Sequence, residues 1–124
     1  MSKRVLITGG CGFIGHHVVE HFLLNTDYEI CVVDKLSYAS FGLDRLRSIP
    51  CHEDPRVKIY TSDISYPLSK GLKQELGDVN IIIHMAAESH VDNSISDPRK
   101  FFHNNINGTV EMLEYAKSLN NLEN

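Results

Sequence analysis

The chain has 124 residues, of which 42% are hydrophobic and 23% charged, and this is the composition of one ordinary globular domain. Its net charge of -4 excludes the basic surface that nucleic acid or an anionic membrane requires, so we expect neither partner. Three cysteines without a C-x-x-C pair indicate neither a disulfide framework nor a structural zinc site. The apolar run at residues 5–7 is too short for a signal peptide or a membrane span, and we expect a cytoplasmic protein.

The first predicted unit is a strand, a glycine turn and a helix. Residues 5–7 are aliphatic and predict a buried parallel strand. Ile14, Val18 and Phe22 recur at helical spacing, and we expect them to face the core while His16 falls mostly on the outer side. The turn between the two elements carries a G-x-x-G-x-x-G motif, formed by Gly9, Gly12 and Gly15.

The position of this motif between a strand and a helix gives it a chemical meaning. Glycines allow the tight turn and let backbone amides approach a pyrophosphate. The alternative is that they only satisfy the turn. Location favours the dinucleotide interpretation, because a glycine trio elsewhere would carry no such prediction.

A carboxylate follows at the spacing that a dinucleotide site needs. Asp34 closes the second predicted strand, residues 29–34, about 20 residues beyond the motif, where it can accept hydrogen bonds from the adenosine ribose. A carboxylate also repels the 2'-phosphate of NADP, so NAD is favoured, although the adjacent Lys35 softens that repulsion. The alternative is a solvated carboxylate at a strand end.

The remaining elements continue the alternation of strands and helices. Residues 57–60 and 79–84 predict a third and a fourth strand. A short helix between the second and third strands would bury Leu43, Leu46 and Ile49.

Two further helices follow from capping signals. Ser65 is a candidate N-cap of a helix that ends at Gly77. Asp97 followed by Pro98 predicts the start of a long final helix. The apolar residues at helical spacing in that final helix, which we expect to form its buried stripe, are Phe102, Ile106, Val110 and Leu113.

This rhythm predicts a Rossmann-like, doubly wound α/β fold with a parallel sheet in the order 3-2-1-4. The predicted sheet is incomplete, because such folds usually continue to a fifth and a sixth strand. We therefore expect residues 1–124 to be the N-terminal part of an NAD-binding Rossmann domain. Ligands of such sheets bind beyond the carboxyl ends of the strands where the strand order reverses, so the loops after strands one and four should face the dinucleotide.

Four segments carry a family resemblance. Residues 8–15, TGGCGFIG, resemble the TGGxGFIG fingerprint of extended short-chain dehydrogenases. Residues 84–95, HMAAESHVDNSI, and residues 104–109, NNINGT, resemble the HLAAESHVDxSI and TNxxGT segments of dTDP-glucose 4,6-dehydratases. Residues 34–39, DKLSYA, are similar to the DKLTYAG of the same family.

The resemblance implies an NAD-dependent lyase that acts as a homodimer on a nucleotide sugar. Such enzymes oxidise the 4-position of the glucose, eliminate water across positions 5 and 6, and return the same hydride to carbon 6. The cofactor-binding residues that the resemblance implies, besides the three glycines, are Phe13 and Ile14 at the pyrophosphate, Asp34, Lys35, Leu36 and Ser37 at the adenosine ribose, Asp63 and Ile64 beside the adenine, and Met85, Ala86, Ala87, Glu88 and Ser89 toward the nicotinamide.

Three further positions take their expected roles from the same resemblance. Ser89 and His90 would reach the sugar nucleotide, and the alternative for both is a polar loop after strand four. Asn104 stands where the family has a threonine beside the cofactor, and its amide can still form a hydrogen bond there.

The catalytic segment of the family has no counterpart in this sequence. Tyr66 and Lys70 have the spacing of the family's Tyr-x-x-x-Lys pair, but they lie between strands three and four, with Pro67 in the first turn, whereas the family's pair follows strand five. The family's Thr-Asp-Glu segment is also missing. We therefore expect no catalytic residue in this chain and no activity from it alone, whether it is a truncated or a natural fragment.

Three alternatives stay open. The parent enzyme could be a UDP-glucose 4,6-dehydratase or a 4-epimerase of the same fold, or the chain could be a non-catalytic dinucleotide-binding module. The remote alternative is a zinc hydrolase, because His17, Glu20 and His21 match H-x-x-E-H. That helix already has a role behind the glycine turn, so we expect no metal.

Overall fold

The computed structural model describes residues 3–35, 54–87 and 95–124. Within these ranges four parallel strands form one sheet in the order β3-β2-β1-β4, which confirms the predicted Rossmann-like topology. In the register of this sheet, Leu6 lies opposite Cys31 on one side and Ile82 on the other. The strands are β1 (Arg4–Thr8), β2 (Glu29–Asp34), β3 (Val57–Thr61) and β4 (Ile81–His84).

The helices of the described residues alternate with these strands. They are α1 (Phe13–Asn25), α2 (Lys70–Leu76), α3 (Pro98–Phe102), a π-helical turn (His103–Asn107) and α4 (Gly108–Lys117). The last three follow one another directly and correspond to the single long final helix that the sequence predicts. Its predicted start is confirmed, because the Asp97 side chain accepts a hydrogen bond from the amide of Lys100 and Pro98 occupies the first turn.

Hydrophobic clusters cover both faces of the sheet. Successive side chains of a strand point to opposite faces, so β1 contributes Val5 and Ile7 to the cluster that contains Val19 and Leu23 of α1. The second cluster lies on the other face and contains Leu6, Cys31, Val33, Ile64, Leu68, Leu76, Val79, Met112 and Tyr115. The central strands β1 and β2 are therefore buried on both faces, as in a doubly wound fold, whereas β3 and β4 are partly exposed.

The start of α2 differs from the prediction. Ser69, and not Ser65, is the N-cap, and its hydroxyl accepts a hydrogen bond from the amide of Leu72 at 3.1 Å. Ser65 instead donates its hydroxyl to Asp63 Oδ1 at 2.7 Å, which holds it in the preceding turn. The predicted stop is confirmed, because Gly77 ends the helix with a φ of 60°.

The buried face of the final helix was predicted on the wrong side. The four residues of the predicted stripe are exposed, and α4 buries Gly108, Met112 and Tyr115 instead. A Cβ on Gly108 would lie at an ordinary contact distance of 3.6 Å from the side chain of Ile64, so this face of the helix packs against the segment that follows β3. We name the exposed set the apolar stripe, which consists of Phe102, Ile106, Val110 and Leu113.

The predicted core face of α1 is confirmed at Val18 and Phe22, which pack against the first cluster, but the first turn of α1 and the start of β4 differ from the prediction. Ile14 is exposed and His16 is buried, because Gly15 lies against the preceding turn and the His16 imidazole contacts the carbonyl of Gly12 at 3.0 Å. β4 begins at Ile81, and the buried Val79 precedes it. The predicted helix around Leu43, Leu46 and Ile49 lies outside the described residues. In the ranges that are described, no helix is long and apolar enough to cross a membrane.

Candidate functional site

The glycine motif forms a tight turn between β1 and α1. Gly9 has a φ of 72°, a conformation that residues with a Cβ rarely adopt. The amide of Gly12 donates to the carbonyl oxygen of Gly9 at 3.0 Å and closes the turn. A Cβ on Gly15 would lie 2.1 Å from that same oxygen. The turn thus requires glycine at positions 9 and 15 for separate reasons.

The turn lies directly against the loop that follows β4. A Cβ on Gly9 would lie 2.8 Å from the backbone nitrogen of Ala86 and 2.9 Å from the carbonyl carbon of Met85. The hydroxyl of Thr8, which is fully buried, accepts hydrogen bonds from the amides of Met85 at 3.0 Å and Ala86 at 3.2 Å. The loops after β1 and β4 are therefore fixed to each other at the carboxyl end of the sheet.

The start of α1 is suited to an anion. Its N-cap is Gly12, which has no side chain to accept hydrogen bonds from the first-turn amides, and that turn contains no acidic residue. Amides at a helix start carry a partial positive charge and bind phosphate groups. Phe13 and Ile14 flank this position and are 67% and 62% exposed.

Asp34 is attached to the glycine turn. It ends β2, is only 7% exposed, and its Oδ2 accepts a hydrogen bond from the amide of Cys11 at 3.1 Å. Burial, together with the charge of Asp34, raises the pKa of the Cys11 thiol to about 12, so this cysteine stays neutral. A carboxylate has about four acceptor positions, so the bond to Cys11 is compatible with further bonds to ribose hydroxyls.

Asp63 and Ile64 follow β3 at the same edge. Partial burial opposes the ionisation of Asp63, but hydrogen bonds from the Ser65 side chain and backbone outweigh it and lower the pKa of Asp63. Ile64 is buried in the second core cluster. The backbone of Ile64, and not its side chain, is therefore the part that a ligand could contact.

The remaining predicted site residues fall into two groups. Lys35, Met85 and Ala86 are partly buried at the strand ends, Ala87 is exposed after them, and Asn104 lies in the π-helical turn. The predicted residues outside the described ranges are Leu36, Ser37, Glu88, Ser89 and His90.

Three side chains at this edge were not among the site residues predicted from the sequence. Thr8 Oγ1 lies 2.7 Å from His84 Nδ1, and His84 Nε2 lies 3.2 Å from Thr109 Oγ1. Each of the three belongs to one of the segments that carry the family resemblance. Their place in these segments is a signal that could have identified them from the sequence. The contacts among the three residues, however, depend on the fold, because the segments are distant in sequence.

The pattern that suggested zinc does not form a metal site in the described parts of the chain. His17 Nδ1 is 4.0 Å from Glu20 Oε1, and the His17 side chain is largely exposed. Nowhere in residues 3–35, 54–87 and 95–124 do three or more His, Cys, Asp or Glu side chains form a group that could hold a metal ion.

A glycine turn at the carboxyl end of β1, beside the point where the strand order reverses, is the arrangement in which Rossmann folds bind dinucleotides. Comparison with known proteins makes the assignment more specific. Residues 6–124 match the GDP-mannose 4,6 dehydratase family, and the chain belongs to it.

Individual relatives agree with this family. The chain is 41% identical over 115 residues to a dTDP-glucose 4,6-dehydratase of Escherichia coli, which covers 93% of this chain and 31% of the relative. It spans about a third of the length of such curated relatives.

Solved structures of two enzyme classes share the fold. The crystal structure of the dTDP-glucose 4,6-dehydratase DesIV from Streptomyces venezuelae, with NAD bound, superimposes with a TM-score of 0.77 at 39% identity and covers 91% of this chain and 35% of that one. The structure of a UDP-N-acetylglucosamine 4-epimerase from Methanobrevibacter ruminantium M1 also gives a TM-score of 0.77. The two chains are 29% identical, and the match covers 98% of this chain and 36% of the epimerase.

Proposed function

We propose that this chain is the NAD-binding N-terminal part of a dTDP-glucose 4,6-dehydratase. The observation that carries the proposal is the contact of the glycine turn with the loop after β4, together with the hydrogen bond that the Cys11 amide of that turn donates to Asp34. A dinucleotide needs its pyrophosphate, its ribose and its nicotinamide bound at neighbouring strand ends, and this edge offers one group for each.

The described residues fit NAD. The first-turn amides of α1 would hold the pyrophosphate, and Asp34 would accept hydrogen bonds from the adenosine ribose. Met85 and Ala86 would line the path toward the nicotinamide. A buried carboxylate at the ribose position disfavours a 2'-phosphate, so NAD is preferred to NADP. NAD is also the cofactor present in the structure of DesIV.

When bound, NAD supplies the capacity to accept a hydride from the sugar and to return it. The residues of this chain bind the cofactor and orient it, and the groups that transfer protons lie elsewhere in the whole protein. Loss of water then follows from the acidity that a 4-keto group gives to the neighbouring carbon. The fragment alone is inactive under this proposal.

The identity of the sugar nucleotide is the least constrained part of the proposal. The identity of 41% with a dTDP-glucose 4,6-dehydratase favours dTDP-glucose over the UDP-sugars, and the 29% identity with an epimerase makes epimerisation the runner-up. Segment 84–95 supports the same choice through its resemblance to the dehydratases.

The test is turnover by the whole protein with dTDP-glucose and UDP-glucose, with products identified by NMR. A 4-keto-6-deoxy sugar formed faster from dTDP-glucose supports the proposal. A 4-epimer would assign the epimerase instead, and a faster UDP-glucose reaction would change the substrate. Tight NAD binding without any turnover would indicate a non-catalytic module.

The whole protein is further proposed to be a cytoplasmic homodimer that buries the apolar stripe. Four apolar side chains at helical spacing form a continuous exposed surface, and such surfaces mark subunit contacts. Val110→Glu in the whole protein should convert a dimer into a monomer in light scattering. Gln74→Lys, at an exposed position on α2, should leave the dimer intact. A monomeric wild-type protein would refute this part.

A further inference from the structure

A chain of hydrogen bonds joins β1, β4 and the final helix. Thr8 Oγ1 lies 2.7 Å from His84 Nδ1, and His84 Nε2 lies 3.2 Å from Thr109 Oγ1. The Thr109 hydroxyl donates in turn to the carbonyl oxygen of Asn105 at 2.9 Å. Because Thr8 precedes the glycine turn and Asn105 lies in the π-helical turn, the chain connects two parts of the proposed cofactor site.

The partners of Thr8 determine where the protons lie. Its hydroxyl oxygen already accepts hydrogen bonds from the amide of Ala86 and from the amide of Met85, which is shared with the Thr8 carbonyl oxygen. A hydroxyl has two acceptor positions and one proton, so the proton of Thr8 must point to His84 Nδ1. The Nδ1 atom is therefore unprotonated, and the ring proton is on Nε2.

The other end of the ring agrees with this assignment. The Thr109 hydroxyl uses its proton on the Asn105 carbonyl and so can accept the Nε2–H of His84. A protonated imidazolium would place a second donor opposite Thr8 and break one of the two bonds that hold the loop after β4. The neutral ring thus gives a hydrogen-bond partner to every donor and acceptor from Thr8 to Thr109, and the charged ring does not.

The π-helical turn gives this link a role at the site. Such turns are uncommon within helices and frequently occur at functional positions. Asn104, the proposed cofactor contact, is the residue next to the carbonyl that Thr109 holds. Fixing that carbonyl also fixes the direction in which the neighbouring side chain leaves the turn.

We infer that His84 is a positioning residue which, as a neutral imidazole protonated on Nε2, clamps the loop after β4 and the π-helical turn to the glycine turn. The inferred benefit to cofactor binding rests on the proposed function, whereas the clamp itself does not. His84 touches neither the cofactor nor the substrate under this inference, and it acts through Thr8 and Thr109.

Nitrogen NMR of the histidine rings tests the proton assignment directly. In the 124-residue chain without any ligand, we expect His84, assigned by its loss in His84→Asn, to show an unprotonated Nδ1 and a protonated Nε2 at neutral pH. A proton on Nδ1, or a charged ring, would overturn the inference. This measurement does not depend on NAD.

Amide hydrogen exchange tests the clamp with matched variants. Thr109→Val removes the acceptor for Nε2 at nearly constant volume, and we expect the amides of Met85 and Ala86 to exchange roughly tenfold faster. Thr109→Ser keeps the hydroxyl and should exchange like the wild type. Thr109 is exposed, so these variants are expected to fold even if His84→Ala does not. Equal exchange in the valine and serine variants would refute the clamp.

Titration with NAD then separates the two proposals. If the tautomer and the exchange rates are as expected, the Kd of NAD should rise about tenfold in Thr109→Val and return to the wild-type value in Thr109→Ser. If the tautomer and the exchange rates are as expected but the chain does not bind NAD, the proposed function is refuted and the clamp is not. NAD binding unaffected by a broken clamp would refute the positioning role.

Discussion

The two ends of the sheet use polar groups differently. At the amino end, charged side chains satisfy each other and nearby carbonyls: Arg4 pairs with Glu29, and Arg56 donates to the carbonyls of Leu23 and Thr26. The hydrogen bond from Arg4 lowers the pKa of Glu29. At the carboxyl end, the Thr8 hydroxyl and the Asp34 carboxylate join the loops by accepting hydrogen bonds from backbone amides, and the N-cap of α1 is a glycine.

This difference indicates which end is built for a ligand. The arginines of the amino end neutralise carboxylates or cap carbonyls, which stabilises the fold. The carboxyl end fixes two loops next to each other, beside the start of a helix whose N-cap is a glycine. Changes at the two ends should therefore separate cofactor affinity from stability.

The largest loss of binding is expected from Gly15→Val. Its side chain would collide with the carbonyl of Gly9, which closes the turn, and the amides proposed to bind the pyrophosphate would move. Losing two charge-assisted hydrogen bonds should weaken NAD binding by roughly 100-fold or more. Gly71→Ala is the control, because a Cβ there meets nothing within 4 Å, and it should stabilise α2 by about 0.5–1 kcal/mol with an unchanged Kd. Calorimetric titration measures the Kd of NAD, and thermal unfolding measures the stability.

Asp34→Asn should have the next largest effect on binding. The amide oxygen can still accept from the Cys11 amide, so the turn is retained, but the charge that is proposed to bind the ribose and repel a 2'-phosphate is lost. We expect NAD binding to weaken about tenfold and the preference over NADP to shrink. An unchanged ratio of the NAD and NADP dissociation constants would show that Asp34 does not select the cofactor.

A change at the amino end should reverse this pattern. Arg56→Met leaves the carbonyls of Leu23 and Thr26 without their donor and should lower the free energy of unfolding by about 1–3 kcal/mol. The Kd of NAD, measured where the variant is folded, should stay the same. A weakened Kd with unchanged stability would contradict the division between the two ends.

The smallest expected effect is the pH dependence that His84 contributes. Burial lowers the pKa of His84, so the unfolded chain binds its proton more readily than the folded one. Its contribution to stability is complete above the unfolded value of roughly 6.5 and is lost as the pH falls through the lowered pKa. The change in the midpoint temperature of unfolding across this pH window should be smaller in His84→Gln than in the wild type.

Local patterns were sufficient to predict the sheet and most of the turn chemistry. The glycine turn and the caps at Asp97 and Gly77 each depend on residues that are close in sequence, and the strand order follows from the alternation of strands and helices. It was harder to predict which side of each helix is buried. Helical spacing shows that apolar residues share a face, but it does not show whether a sheet or another surface covers that face.

The final helix illustrates this limit. Its buried residues include a glycine and a tyrosine, which carry a weaker apolar signal than the exposed stripe. The link from Thr8 through His84 to Thr109 was unpredictable for a related reason, since it joins three segments that only the folded sheet brings together.

Calorimetric titration of the 124-residue chain with NAD and NADP is the most direct test of the proposed NAD site at the carboxyl end of the sheet. We expect saturable binding at one site, tighter for NAD than for NADP, and lost in Gly15→Val but not in Gly71→Ala. Absence of NAD binding by a chain that circular dichroism shows to be folded would contradict it.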